Sequence, residues 1–299
     1  MEKLLAVAKT IIPSPMLELC WLAQRRNAIN FAEGFPDFSA PSPIKKSAVS
    51  AINSDFNQYR TQHFPCNDIA ICCGQTEAFE SAIFATIDPG DEVILFDPSY
   101  ETYDGCITLA GGSSKGQRAV LVALDPPHWS LDPQKLITSC TSKTKAMAVN
   151  SPQNPTGKVF TRAELEIIAK VRCTSDLLAI TDEVYEHLTF DAEKHISLAS
   201  LPGMQKRTII TSSLSKTYSW RIGSAIAASH FASAITNFHI RITDSAPAPF
   251  KEAALTALRC PSEHYETLRA DYKSKRDYML KLLGGLGFQI EHKPQGSFF

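Results

Sequence analysis

The chain has 299 residues, enough to bury one large core and a smaller lobe. Hydrophobic residues make up 44% and charged residues 20%, the balance of a globular protein, and a net charge of −1 gives no general drive toward nucleic acid or an anionic membrane. No run of ~18 apolar residues is present to span a bilayer, and positions 1–10 carry an acid at once and no long apolar core, which argues against a secretory signal.

Taken in order, the patterning predicts a buried strand at Ile69–Cys73, a helix over Glu77–Ile87 and a strand at Glu92–Phe96. A helix over Tyr103–Ala110 and a strand at Ala146–Asn150 follow. Thr161 with Glu164 forms a capping box that starts a helix over Arg162–Val171. Strands are predicted at Leu177–Thr181 and Thr208–Thr211, then a long charged helix over Ser262–Leu286 and the start of a strand at Gly287–Ile290. Strands alternating with helices imply an α/β layered fold with a largely parallel sheet.

A polar cluster follows each strand: Gly74-Gln75-Thr76, Asp97-Pro98-Ser99-Tyr100, Ser151-Pro152-Gln153-Asn154, Asp182, and Ser212 to Lys216. In open α/β sheets ligands gather beyond the carboxyl ends of the strands, so these five clusters are expected at one rim. Their chemistry suits pyridoxal phosphate (PLP). The Lys216 amine can condense with an aldehyde, and the cofactor then serves as an electron sink. Asp182 is the carboxylate to keep the ring nitrogen protonated, and Asn154 and Tyr185 can donate to the phenolic oxygen. The helix start at Gln75 and Thr76 offers N–H groups to the phosphate, Arg221 a cation and Ser213 a hydroxyl. Tyr100 can stack on the ring.

Each of these residues also has a plainer reading. Asp182 can be a helix cap, Asn154 part of a turn and Arg221 the partner of an acid. Tyr100 can be core, Gln75 and Thr76 an ordinary helix start, and Ser213 a cap. Glu183 reads as a surface acid, and His187 and His195 as surface or packing residues. Ser213-x-x-Lys216 matches a β-lactamase motif but lacks its companions, and Gly112-Ser113-Ser114-Lys115-Gly116 matches Gly-x-Ser-x-Gly without a preceding strand.

The blocks Asn154-Pro155-Thr156-Gly157, Asp182-Glu183-Val184-Tyr185 and Ser213-Leu214-Ser215-Lys216 together resemble the signatures of class I/II aminotransferases of PLP fold type I. The stretch from Asn30 to Phe38, Asn57-Gln58-Tyr59 and the stretch from His195 to Met204 resemble the branch with kynurenine, glutamine and methionine aminotransferases. The resemblance implies that Lys216 binds PLP covalently and shuttles the substrate proton. It places Asp182, Tyr185, Asn154, Tyr100, Gln75, Thr76, Ser213 and Arg221 around the cofactor. Gly34, Asn154 and Tyr59 would meet the substrate, Tyr59 from a neighbouring subunit of a homodimer.

The resemblance further implies three units: an N-terminal arm over 1–45, a PLP-binding domain over 46–260 and the start of a small domain over 261–299. The implied reaction is amino transfer between an L-amino acid (methionine, glutamine, kynurenine or aromatic) and a 2-oxo acid. Cysteine-S-conjugate β-elimination and a non-catalytic homologue stand as alternatives. The chain departs from the family pattern in three places. Only residues 60–68 join Tyr59 to the first strand, and the Lys216–Arg221 connection is short, so Arg221 is expected out of place. No residue matches the arginine that the family uses for the substrate carboxylate, as in a chain internally deleted and truncated at its C-terminus.

Eight cysteines without a C-x-x-C pair argue against a zinc or dithiol site, and the histidines show no metal-ligand spacing. Free thiols fit a reducing compartment, and a cytoplasmic location is expected, with an organellar one compatible.

Overall fold

A computed structural model describes residues 14–32, 34–56, 67–111 and 119–298. Tyr59, the 60–66 part of its connection and the 112–116 motif lie outside the described residues.

Helices α1 (Pro15–Arg25) and α2 (Ser42–Asn53) precede the sheet. The sheet strands are β1 (Ile69–Cys72), β2 (Glu92–Asp97), β3 (Ala119–Ala123), β4 (Thr144–Asn150), β5 (Leu178–Asp182), β6 (Thr208–Ser213) and β7 (Gly223–Ile226). Between and after them come α3 (Gln75–Thr86), α4 (Glu101–Gly111), α5 (Pro133–Ser139), α6 (Arg162–Thr174), the single turn α7 (Ser215–Tyr218), α8 (Ser229–Thr243), α9 (Ala248–Leu258) and α10 (Ser262–Gly285). The capping box at Thr161 and Glu164 forms as predicted.

The strand order is β1-β7-β6-β5-β4-β2-β3. β7 pairs antiparallel with both neighbours, and the other pairings are parallel. Central strands bury both faces. In β2, Val93 and Leu95 meet Phe79, Ile83 and Ile107, while Ile94 and Phe96 face Leu165 and Ile168 on the other side. Such two-sided burial turns alternation into a continuous apolar run, which is why these strands are easy to read.

Two strands escape the periodicity. β3 is an edge strand with Leu121 exposed. β7 is only Gly-Ser-Ala-Ile, too small in its side chains to look like a strand. Its glycine is required, because a Cβ at Gly223 would lie 2.2 Å from the Gly74 carbonyl carbon. Gly223→Ala is therefore expected to force backbone apart and to cost about 3 kcal/mol or more, measured as a fall in melting temperature.

The strand expected at 287–290 does not form. Gly287 takes φ +91 and Phe288 stays exposed, and among the described residues no strand pairs with this stretch. The backbone instead tucks in further on, where Gln295 and Gly296 N–H groups donate to the Gly157 carbonyl and Ser297 N–H to that of Leu188. That anchoring carries Phe298 to the rim of the sheet.

Candidate active site

The carboxyl ends of the strands converge. Asn150 pairs with Asp182 and Asp182 with Thr211 across β4, β5 and β6. A cavity of about 820 Å³ opens at this rim. Lys216, Asp182, Tyr185, Asn154, Tyr100 and Gly34 line it, and so do Gln75, Thr76, Ser213 and Arg221. Lys216 and Gly34, 182 positions apart, thus share one space, large enough for a cofactor with its substrate.

Asp182 ends β5 with 4% exposure. Its Oδ2 accepts from the Tyr103 hydroxyl at 2.6 Å and its Oδ1 from the Val184 N–H at 3.1 Å. Burial pushes its carboxyl up to about 6, opposed by those two hydrogen bonds and by the Lys216 charge. Tyr103 is raised well above the usual phenol range by its own burial and then by Asp182, so it stays a donor. The loop behind is tied down by Asn150, whose Nδ2 donates to the Asp182 carbonyl and whose Oδ1 accepts the Asn154 N–H.

Lys216 rides on α7, directly beyond β6. Its Nζ donates to the Gly34 carbonyl at 3.0 Å and lies 4.4 Å from the Phe298 ring centroid and 5.9 Å from that of Tyr185. Tyr185 is buried and its hydroxyl bonds the Asn154 side chain. Burial, reinforced by Asp182, holds the Tyr185 phenol well above its ordinary range. Tyr100 packs edge-on against Tyr103 at 5.5 Å.

The other end of the cavity collects donors. Gly74, at φ +90, turns the chain from β1 into α3, whose first N–H groups have no partner within the helix. Arg221 donates through Nη1 to Ser215 Oγ at 2.8 Å and through Nη2 to the Cys73 carbonyl at 3.1 Å. Arg221 lines the cavity: Ser219 adopts φ 52 after α7, and β7 follows beside β6. Ser213 accepts the Ser215 N–H at 3.0 Å and lines the cavity, while the N-cap of α7 is Leu214.

Glu183 is corrected from surface acid to buried group. At 5% exposure it accepts from Thr181, Ser197 and the His195 ring, so His195 packs as its partner. The cavity and its rim also include residues that were not site candidates, among them Asn150, Tyr103, Ser215 and Phe298. Tyr103 stands three residues after Tyr100, a same-face spacing that could have flagged it, and Ser215 adjoins Lys216. Phe298 carried no local signal, since only the tail's anchoring places it.

The family description "Aminotransferase class I and II" matches residues 23–299. The chain belongs to the class I and II aminotransferases. A kynurenine–oxoglutarate transaminase of Dictyostelium discoideum is 34% identical over 96% of this chain and 75% of its own length. The methionine aminotransferase of Escherichia coli is 32% identical over 93% and 77%. The solved N-succinyldiaminopimelate aminotransferase of Mycobacterium tuberculosis superposes with a TM-score of 0.91 at 31% identity, covering 98% of this chain and 82% of that one.

As an aminotransferase, the protein passes an amino group between an amino acid and a 2-oxo acid, and its family depends on PLP. The donor set fits that group. An amine and a buried carboxylate share one cavity, the Tyr185 phenol and the Asn154 amide stand beside them, and a cation, two serine hydroxyls and a helix start gather at one end. Among the described residues no helix is long and apolar enough to cross a membrane.

Proposed function

We propose that this aminotransferase acts on methionine, glutamine, kynurenine or aromatic amino acids, with Lys216 as its catalytic residue. The observation that carries the role of Lys216 is its amine in one cavity with buried Asp182. PLP, when bound, supplies the electron sink that stabilises negative charge at the substrate Cα. Lys216 Nζ takes the Cα proton and returns it. Asp182 holds the proton on the ring nitrogen, with Tyr103 fixing the orientation of its carboxylate. Tyr185 and Asn154 orient the phenolic oxygen, and Tyr100 bears on the ring face. Gln75, Thr76, Ser213 and Arg221 bind the phosphate. Gly34 and Asn154 meet the substrate, and the protein works as a homodimer. The apolar walls of Phe35, Tyr185 and Phe298 suit an apolar or aromatic side chain.

Residues 46–260 are inferred to form the PLP-binding unit, with segments 14–45 and 261–298 beside it. A small core packs the flanking segments onto that unit, joining Phe38, Leu268, Tyr272 and Phe298 to Val184 and Tyr185. The free cysteines among the described residues support a reducing, cytoplasmic setting.

The test is a panel of these amino donors with 2-oxo acids, read as formation of the matching new amino acid. Release of pyruvate and ammonia in place of amino transfer would point to β-elimination and sink the reading. Arg221→Ala is expected to weaken PLP binding by roughly 10- to 100-fold, the worth of one charge-assisted hydrogen bond, measured by titration of the visible absorbance.

A further inference from the structure

A second cluster of buried charge lies behind the donor end of the cavity, and none of its members lines the cavity itself. Glu77, in the first turn of α3, and His239, near the end of α8, are 7% and 5% exposed. Glu77 Oε1 lies 3.0 Å from His239 Nδ1 and accepts from the Thr243 hydroxyl at 2.6 Å. Its Oε2 accepts the Cys73 N–H. Burial works against the charge on Glu77, but His239, Thr243 and the Cys73 N–H outweigh it and hold the carboxyl at about 2. The nearby Cys72 thiol is pushed up by burial and then by Glu77, so it stays neutral. With both Glu77 oxygens engaged, the group is a hydrogen-bonded bracket.

What the bracket holds is the backbone on both sides of Cys73: Glu77 accepts its N–H, and Arg221 Nη2 donates to its carbonyl at 3.1 Å. A Cβ at Gly74 would stand 2.3 Å from that nitrogen, so guanidinium and turn touch closely. The same turn opens α3, whose first residues Gln75 and Thr76 line the cavity. Orientation of such donors is sensitive to shifts of an ångström or less.

We propose that Glu77, His239 and Thr243 are positioning residues for phosphate recognition: anchored on α8, they fix the turn that presents the N–H groups of α3 and the guanidinium of Arg221 to the cofactor's phosphate. The inference rests on the placement of PLP given above. It requires that the bracket matter to the phosphate and not to the rest of the cofactor.

The experiment compares the affinity of the purified full chain for PLP and for pyridoxal, which lacks the phosphate, by titration of visible absorbance. Wild type is expected to prefer PLP strongly. Equal affinity for the two would overturn the phosphate site itself, and the proposal with it. Glu77→Gln, which puts an amide donor where two donors converge, and Thr243→Val, which removes one donor and keeps the charge, are each expected to lower PLP affinity about tenfold. Pyridoxal affinity should stay constant, so that the preference shrinks. A parallel loss for both ligands, or a fall in melting temperature with the preference intact, would show a merely structural role. A gain in PLP affinity in Glu77→Gln would show that the buried charge opposes the phosphate, and would also overturn the proposal.

Discussion

Lys216→Ala protein mixed with PLP is expected to develop no visible absorbance band and to transaminate about 10⁴-fold more slowly than wild type, the upper end of what a positioned acid–base group contributes. The expectation follows from how few groups can replace it. Among the described residues lining the cavity, Lys216 and Arg221 are the two cations, and Arg221 cannot give up a proton at neutral pH. The Lys216 amine is steered rather than merely present, by the Gly34 carbonyl at 3.0 Å and the Phe298 ring at 4.4 Å. Lys216→Arg keeps the charge and is expected to be as inactive as the alanine variant. Retention of the band in Lys216→Ala would remove the central residue of the proposed mechanism.

Asp182→Asn is expected to have opposite effects on stability and activity. Without cofactor, burial lifts the Asp182 carboxyl to about 6 from an ordinary 3.8. The folded protein therefore binds a proton more readily than the unfolded chain in that window. Stability contributed by this group rises as pH falls from about 6 toward about 4, and its ionised form at neutral pH costs up to about 3 kcal/mol. Cofactor-free Asp182→Asn should melt higher than wild type at neutral pH, and the difference should shrink as pH falls below about 6. Transamination should fall by roughly 10²- to 10³-fold, the range for loss of a preorganised electrostatic group. A destabilised site carboxylate that serves function is the expected trade-off. Equal melting temperatures across that pH range would show that Asp182 is not held at a cost.

A plainer reading and a place at the cavity are not exclusive. Ser213 accepts the Ser215 N–H and Tyr100 packs on the core, yet both line the cavity. Glu183 shows where single-residue reasoning fails. An acid beside a buried one looks like surface, but Thr181, Ser197 and His195 satisfy it inside. Arg221 reaches the cavity through a chain reversal at one left-handed residue, Ser219, which its own short stretch of sequence does not announce.

The sequence by itself determined that strands alternate with helices and that polar clusters follow the strands, because those features are local: periodicity, caps and residue chemistry over a few positions. It also determined the kinds of groups at the site. Only the tertiary structure decided that Tyr103 donates to Asp182, that β7 runs against its neighbours and that Phe298 overlies Lys216. It likewise decided that Glu77 meets His239 and Thr243 across 162 and 166 positions. Those contacts join segments distant in the chain, and their geometry depends on register, close glycine approaches and chain reversals that no single stretch of residues encodes.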